Sequence, residues 1–277
     1  MKYRITILCE NSVGPLAGTI GEHGFSALIE PSSGNPILFD TGQGFTLLHN
    51  ARCMNKDLTL VDQVVLSHGH YDHTGGLKPL LDECGAKQVY GHTQIFRSRY
   101  RVRGTGECSP IGIQLNREEL EVAGATFSLS NDFRTIATGI HLTGEVPRVT
   151  DFEDGDQGLF CDCTGQELDT TPDDQSMILE TEKGLVLILG CCHSGLVNTL
   201  EHVAYMTGRR DVYAVIGGTH LGFCSQEQIG KTVSFLQSLG MKKLAASHCT
   251  GFAASARLSR ELAKEFQVAM VGYTLEV

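Results

Sequence analysis

The chain has 277 residues, enough for one large core, and no low-complexity linker divides it, so a single domain over 1–277 is expected. Its 32 acidic side chains outnumber the 22 basic ones, which disfavours a nucleic-acid partner because a phosphate backbone would be repelled. A small molecule is therefore the expected partner. No apolar stretch has the length of a secretory core or a membrane helix, so the sequence predicts a cytoplasmic protein without a membrane partner.

Strands dominate the first ninety residues, and the short polar turns among them predict antiparallel pairing at the start of the chain. The expected strands cover residues 2–9, 25–30, 37–39 and 87–90, and the expected helices cover 43–55 and 77–84. His23 precedes the second of these strands, and His92 follows the last. Both loop histidines are candidate substrate contacts, with a solvated or structural role as the alternative.

The most informative stretch runs from Gln63 to Gly76 and reads QVVLSHGHYDHTGG. Its apolar run over 64–66 is typical of a buried strand. Four side chains of metal-binding type follow within six positions, namely His68, His70, Asp72 and His73. A polar loop would rarely contain these residue types in such register by chance, so the stretch predicts a metal site.

The spacing within this stretch suggests two ligand pairs. In extended backbone, His68 and His70 point the same way and can bind one cation. Asp72 and His73 fall at the turn into a helix, where free N–H groups can hold the carboxylate towards the histidines. Imidazole and carboxylate ligands favour zinc, with iron, manganese or cobalt as alternatives, and two such cations sharing a hydroxide would provide a nucleophile at neutral pH.

Regular patterning is lost over residues 97–171, so this segment is expected to be an insertion that covers the active site as a cap. A basic run within it contains Arg97, Arg99, Arg101 and Arg103. Arg148 follows a stiff turn in the sequence GEVPR. Guanidinium groups suit phosphate or carboxylate, so Arg148 or the basic run is a candidate substrate-binding site for an anion.

The last hundred residues repeat one layout, in which an apolar strand ends in small residues and a histidine before a helix begins. The strands expected over 185–189, 212–216 and 244–247 lead to His193, His220 and His248. The carboxyl ends of strands in layered α/β folds meet at one edge, so we expect these histidines to converge on the loop that contains His68. Ser194 is expected to cap the first of the helices.

The ten cysteines are expected to be reduced thiols, because no export signal accompanies them. Cys161 and Cys163, and the adjacent Cys191 and Cys192, could bind metal or react. However, no paired CxxC set of the structural-zinc type occurs, so plain core or loop thiols are favoured.

The sequence HGHYDH resembles the His-x-His-x-Asp-His signature of the metallo-β-lactamase superfamily, and LFDTG at 38–42 resembles the strand and turn that precede it. The resemblance covers nearly the whole chain and implies an α/β fold, the αββα sandwich. It implies little about substrate, because this superfamily includes lactamases, thioesterases, lactonases, nucleases, phosphodiesterases and oxidoreductases.

The resemblance also implies a ligand set for two metals. The first metal would be bound by His68, His70 and His193, and the second by Asp72, His73 and His248. Asp40 would support these ligands through a hydrogen bond. The carboxylate that bridges the metals in the family is missing here, because GCCHSG follows Leu189, so His193 or Asp174 is expected to replace it. His220 is surplus to the usual set, and we expect it to act with Asp72 as a catalytic residue, as a proton donor or anion stabiliser.

Several functions are compatible with this site. The first is hydrolysis of a small anionic substrate, with a metal-bound hydroxide attacking a carbonyl or phosphoryl centre. GEVPR, DDQS, GGTHLGF and SHCTG are similar to motifs of one subgroup, which implies the alternative of a pterin transferase that releases diphosphate. A di-iron oxidoreductase is disfavoured, because superfamily members of that type place a glutamate where His70 stands. A ligand sensor without turnover is the non-catalytic alternative.

Overall fold

The computed structural model describes all 277 residues, which form two seven-stranded β-sheets, one three-stranded sheet and seven α-helices. The strands are β1 (Tyr3–Cys9), β2 (Ser26–Pro31), β3 (Ile37–Phe39), β4 (Gln63–Val65), β5 (Lys87–Gly91), β6 (Tyr100–Val102), β7 (Cys108–Pro110), β8 (Ala125–Leu129), β9 (Arg134–Ala137), β10 (Ile140–Leu142), β11 (Leu159–Phe160), β12 (Met177–Thr181), β13 (Gly184–Leu189), β14 (Val212–Gly218), β15 (Lys243–Ser247), β16 (Phe266–Val268) and β17 (Thr274–Glu276). The helices are α1 (Leu47–Cys53), α2 (Tyr71–Thr74), α3 (Leu77–Cys84), α4 (Arg117–Val122), α5 (Leu196–Thr207), α6 (Gln226–Leu239) and α7 (Gly251–Glu261). None of them is long and apolar enough to cross a lipid bilayer.

The two large sheets pack face to face, and helices cover the outer face of each. One apolar cluster lies between the sheets and includes side chains from β1, β2, β12 and β13. A second cluster joins β13 and β14 to α5, α6 and α7, and a third joins the other sheet to α1 and α3. All six residues of β13 are buried, because this strand is covered on both faces. The expected α/β fold, the αββα sandwich, is therefore confirmed.

The strand order explains where the functional loops meet. The first sheet has the order β17-β1-β2-β3-β4-β5-β8, with β1 to β3 antiparallel as expected and β3 to β5 parallel. The second has the order β16-β15-β14-β13-β12-β10-β9, with β13, β14 and β15 parallel. Parallel strands present their carboxyl ends at one edge, so the loops after β13, β14 and β15 are neighbours.

Two helix starts differ from the sequence prediction for the same reason. The helix expected over 43–55 is confined to α1, because the buried carboxylate of Glu22 accepts the N–H groups of Gln43 and Phe45 and holds them in a turn. Ser194 does not cap α5. Instead, Glu153 accepts the N–H groups of Val197, 44 residues later, and of Asn198. Local spacing does not reveal caps supplied by remote residues.

The segment 97–171 is not one insertion. Strands β8, β9 and β10 extend the edges of the two large sheets, and only β6, β7 and β11 form a separate sheet, which we call the cap sheet. The cap is therefore smaller than expected. Sequence periodicity missed the three added strands because they are short and only partly buried at the sheet edges.

A disulfide joins Cys108 in β7 to Cys163, 55 residues later. The prediction that all ten cysteines are reduced is therefore wrong for this pair, whereas the other eight are free. The two residues become neighbours only when the cap sheet forms, so their spacing in the sequence carries no sign of the pairing.

Candidate metal centre

Histidines from four strand ends lie together at one edge of the sandwich. His68 follows β4, His193 follows β13, His220 follows β14 and His248 follows β15. The ring centroids of His68 and His193 are 4.9 Å apart, and those of His193 and His220 are 4.3 Å apart. The last three histidines line one cleft of about 810 Å³, together with Asp72. The expected convergence is present.

Strained backbone marks three of these strand ends and also the end of β3. Asp40, Cys192, His220 and His248 have positive φ angles of 57°, 64°, 55° and 53°. A left-handed conformation costs a side-chain-bearing residue free energy, of the order of 1–3 kcal/mol, and such residues cluster at functional sites. The surrounding packing keeps these sharp turns in place at the rim of the cleft.

The first predicted ligand set is close-packed. The ring nitrogens of His68, His70 and His193 lie within 4.8 Å of one another, and His68 Nε2 is 2.9 Å from His70 Nδ1. Gly69 permits this approach, because a Cβ atom there would overlap the carbonyl oxygen of Ile95.

These histidines have the properties of metal ligands. Burial lowers the pKa of His68, His70 and His193 well below the usual value, which keeps the rings neutral. His70 Nε2 and both ring nitrogens of His193 are buried without a hydrogen-bond partner. Leaving buried polar atoms unpaired is costly, and neutral imidazole is the form that binds a cation. The residues therefore fit a divalent metal.

The second predicted ligand set converges as well. Asp72 Oδ2 lies 3.3 Å from His248 Nε2 and 3.8 Å from His73 Nε2, and the two histidine nitrogens are 3.1 Å apart. His23 Nε2 is 3.2 Å from the same carboxylate oxygen, and its ring is half exposed in the cleft. The structure thus brings His23 next to the second ligand set.

Asp40 supports this set from behind. Its Oδ2 lies 2.7 Å from His73 Nδ1 and accepts the hydroxyl of Ser67, while its Oδ1 accepts the N–H of Ser67. Burial opposes a charge on His73, but the carboxylates of Asp40 and Asp72 outweigh it and raise the pKa of His73 to about 9. The hydrogen bond to Asp40 fixes the ring so that Nε2 faces the cleft, the usual arrangement behind a metal-ligating histidine.

The two residues expected at the bridging position, Asp174 and His193, lie in different surroundings. Asp174 belongs to none of the candidate ligand groups, because its carboxylate faces the backbone and accepts the N–H of Ser194. Burial raises the pKa of Asp174 to about 6. His193 lies with the first set. Cys191, which the sequence interpretation favoured as a plain thiol, has its Sγ 3.2 Å from His73 Nε2. The absence of an aspartate after Leu189 is the sequence feature that draws attention to this thiol.

His220 has a charged neighbour from residues 97–171, which we call the cap segment. Its Nε2 lies 3.6 Å from Asp156 Oδ2, which also accepts a 2.7 Å hydrogen bond from Arg101. Burial opposes a charge on His220, but Asp156 and Cys249 outweigh it and raise the pKa of His220 to about 9. These two groups favour the protonated ring, which is the form that can donate a proton.

Two predicted substrate contacts lie outside the large cleft. His92 is buried, and its Nε2 is 3.7 Å from a carboxylate oxygen of Glu145. Arg148 lines a smaller cavity of about 210 Å³ that also borders His193 and His220, and it donates to the carbonyl oxygen of Thr170. Neither residue lines the large cleft.

The basic run of the cap segment divides into two parts. Arg101 and Arg103 line the large cleft. Arg97 pairs with Glu167 at the surface, whereas Arg99 is buried and lies 2.7 Å from Asp173. The interpretation of the run as an anion site therefore does not extend to Arg97 and Arg99.

Asp173 links the cap segment to the loop that contains His68 and His70. Its Oδ1 contacts Arg99, and its Oδ2 accepts the N–H of Gly69 at 2.7 Å. Asp169 lies 3.3 Å from the other side of the same guanidinium. The buried arginine thus fixes the backbone between His68 and His70.

Comparisons with known proteins agree with this geometry. The family model of the metallo-beta-lactamase superfamily matches residues 20–193. The chain is 32% identical, over 95% of its length and 93% of the relative's, to the 7,8-dihydropterin-6-methyl-4-(beta-D-ribofuranosyl)-aminobenzene-5'-phosphate synthase of Methanocaldococcus jannaschii. The crystal structure of Tm1679, a metal-dependent hydrolase of the beta-lactamase superfamily, is similar with a TM-score of 0.84, 30% identity and 99% coverage of both chains.

A diphosphatase of the PhnP family shares the fold, with a TM-score of 0.58, 15% identity, and coverage of 100% of this chain and 98% of that one. The expected subgroup resemblance is confirmed by the archaeal relative, which matches nearly the full length. The family model covers more than half of the sequence. The chain therefore belongs to the metallo-β-lactamase superfamily.

Proposed function

We propose that this chain is a metal-dependent hydrolase of a small anionic molecule. One observation carries the proposal: two sets of buried candidate metal ligands converge at a cleft that Arg101 and Arg103 also line. Cations and guanidinium groups around one cleft favour a substrate that carries phosphate or carboxylate. The acidic balance of the chain supports a small molecule rather than a nucleic acid as partner, and a cytoplasmic location belongs to the same proposal.

The cofactor in this proposal is a pair of divalent ions, zinc first, with iron or manganese as alternatives. The ions would be held by His68, His70 and His193 on one side and by Asp72, His73 and His248 on the other. When bound, such ions polarise a carbonyl or phosphoryl oxygen and lower the pKa of coordinated water.

Two side chains, Asp72 and His220, would act on the nucleophile and on the leaving group. Burial opposes ionisation of Asp72, but His73 and the hydrogen bonds from His23 and His248 outweigh it and hold the pKa of Asp72 well below its usual value. Asp72 is therefore a carboxylate that can bind a cation and accept a hydrogen bond from the nucleophile. His220, kept protonated by Asp156, would donate a proton to the leaving group.

Transfer of a pterin unit is the second candidate function. The name of the archaeal relative favours it, because that protein is a synthase of a dihydropterin joined to an aminobenzene ribosyl phosphate. Tyr71 and Phe223 line the cleft and offer aromatic faces for flat rings. In this reaction an aromatic amine would replace water as nucleophile, and diphosphate would leave.

Product analysis distinguishes the two reactions. Purified protein loaded with zinc is incubated with a dihydropterin methyl diphosphate, with and without an aminobenzoate-type acceptor. Free hydroxymethylpterin formed without acceptor supports hydrolysis, and diphosphate released only with acceptor supports transfer. A parallel screen covers phosphoesters, lactones and thioesters, with Asp72→Ala as the control protein. Absence of turnover in every assay would contradict both functions.

A further inference from the structure

Cys191 occupies a position between the two ligand sets. Its Sγ lies within 4.8 Å of ring nitrogens in three separate groups of candidate ligands. These groups are His68 with His73, His193 with His220, and His248 with Cys249. No other residue belongs to three of the five groups. One atom can therefore reach histidines assigned to the first metal and histidines assigned to the second.

The backbone around Cys191 directs this thiol into the site. Cys191 follows β13 by two residues, and the carbonyl oxygen of Gly190 accepts the N–H of Gly218 in the neighbouring strand. The left-handed conformation of Cys192, with φ 64°, reverses the chain immediately afterwards. As a result, Cys192 Sγ packs on Thr199 in the core below α5, whereas Cys191 faces His73.

From this position we infer that the Cys191 thiolate is the shared ligand of the two metals, in the place where a bridging carboxylate would otherwise stand. The inference rests on the dinuclear centre of the proposed function. On metal binding, the Cys191 thiol would release its proton to solvent, and the sulfur lone pairs would form one bond to each cation. Sulfur is a softer ligand than carboxylate, so this bridge favours zinc or cobalt over magnesium or manganese.

Cobalt provides the test, because a thiolate bound to Co²⁺ gives a charge-transfer absorption in the near ultraviolet. The full chain, stripped of metal, is titrated with Co²⁺ while the absorption and the bound metal are measured. We expect two equivalents of cobalt, with the absorption growing through both. If the absorption stopped growing after one equivalent of cobalt, the bridge would be overturned. If two equivalents bound without the absorption, thiolate ligation would be overturned while the metal centre would stand. Failure to bind cobalt would overturn the metal centre and the bridge together.

Variants assign the absorption to one sulfur. In Cys191→Ser we expect loss of the absorption and of one metal equivalent, and in Cys191→Asp two equivalents without the absorption. Cys192→Ser is the matched control, with an adjacent buried thiol that faces away, and should behave as the wild type. Cys249→Ser should retain the absorption. Its loss in that variant, with retention in Cys191→Ser, would assign the ligand to Cys249 and reject the proposal.

Discussion

The candidate metal ligands and the cap sheet line one cleft, but different forces hold them in place. The ligand histidines are buried and stand at the ends of strands inside two large sheets. The cap sheet has strands of two or three residues, and the Arg101–Asp156 ion pair and the Cys108–Cys163 disulfide hold it to other residues of the segment 97–171. The buried Arg99, just before β6, pairs with Asp173 outside that segment. We call the part that holds the candidate ligands the rigid side and the cap sheet the thin side. Side chains on buried strands are suited to hold cations at fixed distances, whereas the short strands of the cap sheet can vary with the substrate. The following variants test this division.

The largest expected effect is on the rigid side. His70→Ala or Asp72→Ala should lower turnover by more than about 100-fold and reduce bound metal, because each change removes a ligand. The thermal unfolding midpoint of the metal-free protein should change little, since neither side chain belongs to an apolar cluster. Metal analysis by mass spectrometry and circular dichroism measure the two effects. His49→Ala, at an exposed histidine outside the cleft, is the control. Normal metal content in both variants would reject the ligand assignment.

His220→Ala separates proton donation from metal binding. We expect full metal content and a kcat lower by about 10²- to 10⁴-fold, the usual contribution of a general acid. A substrate whose leaving group needs no proton should be affected much less, and this difference is the measurement that distinguishes catalysis from a structural role. Equal losses for both kinds of substrate, or loss of metal, would remove His220 from proton transfer.

The sequence predicted the rigid side well because each histidine follows its own apolar strand. His193, His220 and His248 needed only the rule that carboxyl ends of neighbouring strands meet at one edge. Cys191 could not be separated from Cys192 in this way, since adjacent cysteines after a strand are equivalent until the backbone angle between them is known.

The thin side was predicted poorly because its contacts are long-range. Arg99 looked like one of four equivalent arginines, but its acidic partners lie some seventy residues later in the chain, at Asp169 and Asp173. Short-range spacing contains no information about such pairs. The same holds for the disulfide of Cys108 and Cys163.

The junction between the two sides is expected to be the most sensitive part of the cap. Arg99→Met leaves the carboxylates of Asp169 and Asp173 buried without a partner, and should lower the free energy of unfolding by about 3–5 kcal/mol. Urea denaturation measures this loss. Arg97→Met is the matched control, because its ion pair with Glu167 is exposed and worth at most about 1 kcal/mol. Equal stabilities of the two variants would show that the junction does not depend on the buried arginine.

The smallest expected effect on the metal centre comes from opening the disulfide. Cys108→Ser should leave metal content and the overall unfolding of the sandwich almost unchanged, because the bond closes a loop within the cap segment only. Amide hydrogen exchange should accelerate in β6 and β7, and KM should rise more than kcat falls, since Arg101 and Arg103 would be less well ordered beside the substrate. Cys161→Ser, which changes a free thiol in the same segment, should leave exchange in both strands unchanged. If Cys108→Ser lowered metal content as much as His70→Ala does, the two sides of the cleft would form one cooperative unit, and the difference in their construction would have no functional meaning.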